Sequence, residues 1–518
     1  MSWQPEVDEI ERRRARAREH GGREAVERQH RAGRLAIRER IERLVDAESF
    51  RELGGLAGQH EPSTDGTTES FTPANYVLGT AQLDGRRCVV GGEDFTLRGG
   101  SPSPAGLRKS IFAEELALRL RLPLVRLLEG AGGSVPRPGA SSGPPSAEAV
   151  NAPPRFASFV ETLANVPVVS AALGPVAGFP AARLVSSHFA VMTRETAQVM
   201  IGGPALVERA LGLSLTKQEL GGARVHARSG VVDRVAADED EAFDLIRRFL
   251  TYLPTNVWEA PPVRPSEDEP DRRAPELLEI VPRERRRVYP MRRLLELVLD
   301  RDSFFELAPE YGPSQITGLA RLDGHPVGVL ANDPRFYAGA MTADGALKLR
   351  RFVDLCDAFG LPIVSFVDEP GFMIGPAAER AATIRHGATA LFAVVQSSVP
   401  WASVIVRKVY GVAGAAHFGP GGHVLAWPSA ETGALPVEGG VAVAFRREIA
   451  EAPDPDRRRR ELEEQLAAGR SPFPRAEAFG VHDLIDPRET RPALCAWLQG
   501  VWPCLADRLG PRRCSYRP

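Results

Sequence analysis

The chain has 518 residues, of which 43% are hydrophobic and 25% charged, with a formal net charge of -2. That length exceeds one ordinary core and gives two or three domains. The near-neutral balance leaves no electrostatic footprint for nucleic acid, and no apolar run approaches the roughly 20 residues that cross a bilayer.

Residues 6–48 are rich in Arg and Glu, with Leu35, Ile37, Ile41 and Leu44 at helical spacing. This predicts one or two surface helices. No apolar signal core precedes them, so the expectation is a cytoplasmic protein. A strand pair with an Asp-Gly turn follows (AQLDGRRCVV), then a helix (LRKSIFAEELALRL) and a buried strand ending in glycines (PLVRLLEG). Segment 134–155 is rich in Pro, Ser and Gly and predicts a long loop. Another buried strand (VPVVSAALG) runs into GPVAGFPAA, residues 174–182, where a helix begins. Segment 260–286, Pro-rich and charged, predicts a domain linker. The same grammar then returns: ARLDGHPVGVL, LKLRRFVDLCDAF, PIVSFVDEP and WASVIVRKVYGVAG. Near the C-terminus, DPDRRRRELEEQ reads as an exposed helix.

The return is a repeat. Gly79 and Gly318, Asp84 and Asp323, Pro123 and Pro362, and Gly132 and Gly371 are all offset by 239. Upstream, RIERLVDAESFREL (40–53) echoes RRLLELVLDRDSFFEL (292–307). The two Val-Ala-Gly tripeptides, at Val176 and Val412, are expected to continue the match with an offset of 236. Strands alternating with helices imply α/β units with a largely parallel sheet. The expected domains are 1–265 and 266–518.

Small residues at a strand-to-helix turn let backbone N–H groups approach a ligand closely. At a helix start those groups are unsatisfied and partly positive. Such turns can hold a developing oxyanion. Two of them suit a reaction in which two enolate-like anions form in turn, such as carboxyl transfer from a urea-type carrier to a carbon acid. The five cysteines, Cys88, Cys356, Cys495, Cys504 and Cys514, have no CxxC spacing. They read as reduced thiols, and no metal site is expected.

Several stretches together resemble the carboxyltransferase (β) subunits of acyl-CoA carboxylases, such as propionyl-CoA and methylcrotonyl-CoA carboxylase. They are RLAIRERIERLVDAESFREL, EDFTLRGGS, GPVAGFPAA, TKQELGGARVHARSGVVD, FVDEPGFMIGPAAERAATIRHGA and VIVRKVYGVAG. The resemblance implies two tandem crotonase-like domains of the ClpP/crotonase superfamily, related by internal duplication. It implies six β-subunits, with the active site between the N-domain of one subunit and the C-domain of another. Acyl-CoA lies on the N-domain and biotin enters from the C-domain. The resemblance makes Gly178 and Phe179 the N-domain oxyanion donors, and Val412 and Ala413 the C-domain donors. It places Gly132 and Gly133 beside the thioester, Arg98, Gly99, Gly100 and Lys109 near the CoA phosphates, and Gly371, Phe372, Gly414 and Ala415 on the cofactor side.

Three departures stand out. Phe179 replaces a second glycine. After Tyr410 the propionyl-type pattern has Gly-Gly-Ala-Tyr-Asp, and here Gly414 and Ala415 stand for Tyr and Asp, which suggests a roomier acyl pocket. The 134–155 loop also departs from that pattern. No biotinyl Met-Lys-Met motif and no ATP-binding glycine loop occur, so a separate biotin carboxylase and biotin carrier are expected partners. His226 and His386 read as structural. Glu129 and Asp368 read as helix caps. His417, His423 and Glu431 have no metal spacing. The same fold also serves a decarboxylase of malonyl- or glutaconyl-type CoA, or a non-catalytic scaffold subunit.

Overall fold

The computed structural model describes residues 2–61, 70–132 and 157–518. Two compact units appear: Met1–Glu259 with the tail Ser515–Pro518, and Ala260–Cys514.

In the first unit the sheet order is Arg51–Leu53, Tyr76–Leu83, Arg86–Glu93, Leu124–Gly130, Val168–Ala177, Phe189–Thr193, Arg234–Ala236; Gln198–Met200 also pairs with Val168–Ala177. In the second it is Phe305–Leu307, Gln315–Leu322, His325–Asn332, Ile363–Glu369, Trp401–Tyr410, His423–Ala426, Asp483–Leu484, with Glu431–Gly433 on Trp401–Tyr410. The first three strands of each sheet are antiparallel and the later pairings parallel. The central strands are buried on both faces, so they read as continuous apolar runs.

The duplication extends to individual hydrogen bonds. Asp46 accepts the N–H groups of Asp84 (2.9 Å) and Gly85 (2.8 Å); Asp300 accepts those of Asp323 (2.9 Å) and Gly324 (2.8 Å). Both Asp-Gly turns are thus tied to the end of the preceding helix. The hydroxyls of Ser49 and Ser303 donate to Asp46 O (2.6 Å) and Asp300 O (2.7 Å). A Cβ on Gly79 or Gly318 would lie 2.6 Å from the ring of Phe50 or Phe304, so each glycine seats a phenyl ring.

Residues 4–44 form three helices rather than one or two: Gln4–Arg18, Arg23–Arg31 and Ile37–Leu44. The third is not a surface helix. Ile37, Arg40, Ile41 and Leu44 are buried, and Arg40 donates to Glu239 at 2.8 Å from two nitrogens. Charge at Arg40 disguises a core face, because its partner lies 199 residues away. Segment 260–286 is not a free tether either. Arg264 N–H donates to Gly324 O (3.1 Å), Leu277 is 2% exposed, and Arg272 donates to Leu297 O (2.9 Å) and Leu299 O (2.8 Å). The Pro-rich composition removes helix, not packing. Gly133 and the 134–155 segment lie outside the described residues.

Pro455–Ala468 is a helix, as DPDRRRRELEEQ predicts. Its Leu462 packs with Val437, Val441 and Ile449.

Candidate active site

In the first unit, strand Val168–Ala177 ends at Gly178 and the helix Phe179–Val185 begins. Gly178 has φ 63° and ψ -126°, a backbone that only glycine adopts readily. Gly132 (φ 77°) stands beside it: a Cβ there would lie 2.8 Å from Ala177 O and 3.4 Å from Gly178 Cα. Arg98, Gly99 and Gly100 form the adjoining turn, all with positive φ. A Cβ on Gly100 would lie 2.7 Å from Gly130 Cα, and Ala131 N–H donates to Gly99 O at 3.0 Å. The structure therefore gathers Arg98, Gly99, Gly100, Gly132, Gly178 and Phe179 at the strands' C-terminal ends. Arg98 and Gly178 are exposed, and the Phe179 ring stacks 5.9 Å from Phe159.

Lys109 is turned inward rather than open to solvent. It is 9% exposed, and its Nζ donates to Gly54 O at 3.1 Å. Burial pushes its pKa down to about 8. Lys348, offset by 239, donates to Ala308 O and Gln315 O at 2.8 Å each. Both lysines tie a helix to the loop after the first strand, which is a structural role. Helix Pro104–Leu120 turns this position inward, and sequence periodicity did not reveal that.

In the second unit, strand Trp401–Tyr410 ends at Gly411 (φ 60°), which opens the helix Gly411–Gly414. Val412 is 59% exposed and Ala413 fully buried. The turn Pro370–Phe372 holds Gly371 at φ 125°, where a Cβ would meet nothing. Phe372 packs on Gly387, whose Cβ would collide with the ring; this joins the two halves of the DEPGF…IRHGA stretch. Gly414 is buried with its missing Cβ 2.9 Å from Val409 Cγ1, and Ala415 is exposed.

The register overturns the expected pairing of the two Val-Ala-Gly tripeptides. Gly130 pairs with Val176, and Glu369, offset by 239, pairs with Val409. Pro175–Ala177 pair with Gln198–Met200 as Lys408–Tyr410 pair with Glu431–Gly433. The true offset here is 233. Gly178 matches Gly411, Phe179 matches Val412, and Pro180 matches Ala413. One Val-Ala-Gly ends a strand and the other lies within a helix. Chain-length differences between the sheets' connections shift the register, and local identity of small residues conceals it.

Glu129 and Asp368 are not helix caps. Glu129 is fully buried against Arg34 (2.7 Å), Arg40 (2.6 Å) and Gln29 (2.6 Å). Asp368 accepts from Arg407 (2.9 Å), Tyr289 (3.0 Å) and Lys408 N–H (3.1 Å). Burial without such partners would be prohibitive.

Sequence reading missed the polar groups packed beneath the turns. In the first unit Arg183 bonds Glu93 (2.7 Å) and Tyr76 (2.8 Å), and Arg126 bonds Glu114 (2.6 and 2.9 Å). In the second, Glu369, His417, Ser365, Asn332 and Gln315 form a buried network. Tyr76, Glu93 and Arg126 sit 239 positions before Gln315, Asn332 and Ser365, but the side chains share no chemistry, so no motif marks them. His226 Nε2 donates to Val199 O (2.7 Å) and its Nδ1 bonds Ser229 Oγ (3.1 Å), a structural role. His386 lies half-buried on helix Thr383–Gln396. The His423 ring lies 5.0 Å from that of His482, tilted by 38°, and Glu431 is held by Arg285 (2.7 and 2.8 Å) and Tyr410 (2.9 Å). Cys88, Cys356 and Cys495 are buried and Cys504 is exposed; burial pushes the Cys88 thiol up to about 12. Among the described residues no His/Cys/Asp/Glu group is placed to hold a metal, and no helix is long and apolar enough to cross a membrane.

Residues 28–506 match the carboxyl transferase domain family. The chain is 36% identical over 506 residues to a propionyl-CoA carboxylase carboxyltransferase subunit of Haloferax mediterranei, covering 96% of each. It is 32% identical over 500 residues to methylmalonyl-CoA decarboxylase subunit alpha of Veillonella parvula, covering 95% of this chain and 94% of that one. The hexameric transcarboxylase 12S, solved with methylmalonyl-CoA bound, superposes with a TM-score of 0.86 at 29% identity, covering 100% of this chain and 97% of that one. A single-chain long-chain acyl-CoA carboxylase superposes at 0.81 with 30% identity, over 96% of this chain and 48% of that one. The chain belongs to the carboxyl transferase family, and both of its units have the crotonase-like fold.

Proposed function

We propose that this chain is the carboxyltransferase subunit of a biotin-dependent acyl-CoA carboxylase, moving CO₂ from carboxybiotin on a separate carrier protein to an acyl-CoA. The observation that carries this reading is the pair of matched strand ends, Gly178–Phe179 and Gly411–Val412–Ala413, one in each unit. Each opens a helix and is lined by glycines, so backbone N–H groups can face a carbonyl oxygen that gains negative charge. One turn serves the thioester enolate and the other the ureido oxygen. No side chain acts as base; the proton passes to the biotin nitrogen. The first unit takes the CoA thioester beside Arg98–Gly100 and Gly132. The second takes biotin on the side of Gly371, where a Cβ would meet nothing within 4 Å.

The working particle is a hexamer in the cytoplasm with a biotin carboxylase and a biotin carrier as partners. The larger acyl group that the sequence suggests rests on Ala415 alone. The position of Gly414 is already filled by Val409, so loss of a side chain there opens no space. The likeness to the Veillonella decarboxylase subunit supports a second reading, the same transfer run toward decarboxylation.

The test mixes the purified chain with its charged carrier and a panel of acyl-CoAs, following labelled bicarbonate into acid-stable product. Incorporation into longer or branched acyl groups, with propionyl-CoA poor, is expected. Incorporation into none, with an assembled oligomer and charged carrier, would overturn the carboxylase reading.

A further inference from the structure

We propose that Glu369 is a positioning residue that fixes the Pro370–Phe372 turn and so shapes the biotin side of the site. This rests on the reading above that the second unit faces biotin. The argument comes from comparing the two copies. In the first unit Ala131 and Gly132 match Pro370 and Gly371, and Ala131 N–H anchors that turn on Gly99 O at 3.0 Å. In the second unit the matching residue is Pro370, which has no N–H to give. A carboxylate supplies the missing anchor. Glu369 Oε1 accepts from Gly371 N–H at 3.0 Å, and Met341 N–H is shared between Oε1 (3.3 Å) and Gly371 O (3.1 Å). Gly371 stands at φ 125°, which glycine adopts readily and residues with a Cβ do not.

The carboxylate is itself held from behind. Gln315 Nε2 and Asn332 Nδ2 each donate to Oε2 at 3.0 Å, and His417 Nε2 lies 3.5 Å away. Asn332 is oriented by Asp368 N–H (2.9 Å) and His417 by Ser365 Oγ (3.0 Å). Glu369, Asn332, Gln315, Ser365 and His417 are all fully buried. The position matching Glu369 is Gly130, and the first unit spends its buried polar groups instead on Arg183 and Arg126. The network thus accompanies the proline and is not a general need of this sheet.

The test uses the assembled full-length protein in the reverse transfer, from a carboxylated acyl-CoA to free biotin, with both substrates varied. Glu369→Ala is expected to raise KM for biotin about tenfold and leave KM for the CoA thioester within about twofold, a modest cost for a displaced contact. Hydrogen exchange at 371–373 is expected to accelerate in the same variant. Adding Pro370→Ala restores an N–H at the place of Ala131 and is expected to recover most of the biotin KM. Should Glu369→Ala not assemble, Glu369→Gln carries the test. It keeps the Oε1 acceptor but sets an amide against Gln315 and Asn332, so KM for biotin alone is expected to rise about threefold. An unchanged biotin KM, or equal rises in both KM values, would overturn the positioning role while leaving the transfer reaction intact. Absence of transfer in the wild type would instead sink the functional reading, and this inference with it.

Discussion

At Ala413 the backbone can accept proline, because Pro180 holds the matching place at the start of the first unit's helix. Ala413→Pro therefore removes one N–H at a position where the matching helix already carries a proline. If that N–H faces the oxyanion, transfer should fall roughly 10²–10³-fold in an intact oligomer. Transfer at the wild-type rate would take Ala413 out of the mechanism. Lys109 makes a second prediction of this kind. Its folded pKa, about 8, is lowered by burial from an ordinary 10.5. Between those values the unfolded chain binds the proton and the folded one does not, so stability rises as pH climbs through that window. Lys109→Met should abolish this part of the rise. Thermal midpoints at about pH 8 and about pH 10 measure it, and an identical rise in the variant would mean that Lys109 stays charged.

The duplicated turns between strand and helix make predictions about stability. Asp46 and Asp300 hold matching Asp-Gly turns, but only Asp300 also meets a fully buried cation, Arg491 at 2.8 Å. Removing the partner of a buried charge costs about 3–5 kcal/mol, whereas losing accessible turn hydrogen bonds costs about 1 kcal/mol. Asp300→Ala should shift the urea midpoint well beyond the shift of Asp46→Ala. Equal shifts would mean that Arg491 finds other compensation. The specific-looking stretches also acquire a cause here. In TKQELGGARVH, Thr216 and Glu219 cap each other's backbone N–H groups. Gly221 lies so close to Val199 O that any Cβ would collide.

Each unit is a complete sheet with its own buried strands, and the chain passes from one to the other at Glu259/Ala260. The Pro-rich segment after that point is strapped onto the second unit through Arg264, Arg272 and Leu277. Its amide at Arg264 should therefore exchange slowly with solvent, at a rate typical of packed structure. Exchange as fast as in an open loop would show that the strap detaches. The tail returns to the first unit, where Tyr516 donates to Ser187 O at 3.1 Å and its ring lies 4.4 Å from that of His188.

By itself the sequence determined the duplication, the α/β grammar and the small-residue turns, because offsets, apolar runs and glycines that admit close backbone contact are local or periodic properties. Gly132, Gly178 and Gly371 were legible for that reason. Tertiary structure decided which turns match. The register puts Gly178 with Gly411, and tripeptide identity could not reveal it, since register depends on pairing between strands far apart in the chain. Tertiary structure also decided the fate of every buried charge. Lys109, Glu129, Asp368 and Glu369 look alike in sequence, as polar residues at the ends or faces of elements. Only their partners, up to 100 residues away, determine whether each is a tie, an ion pair or the anchor of a turn.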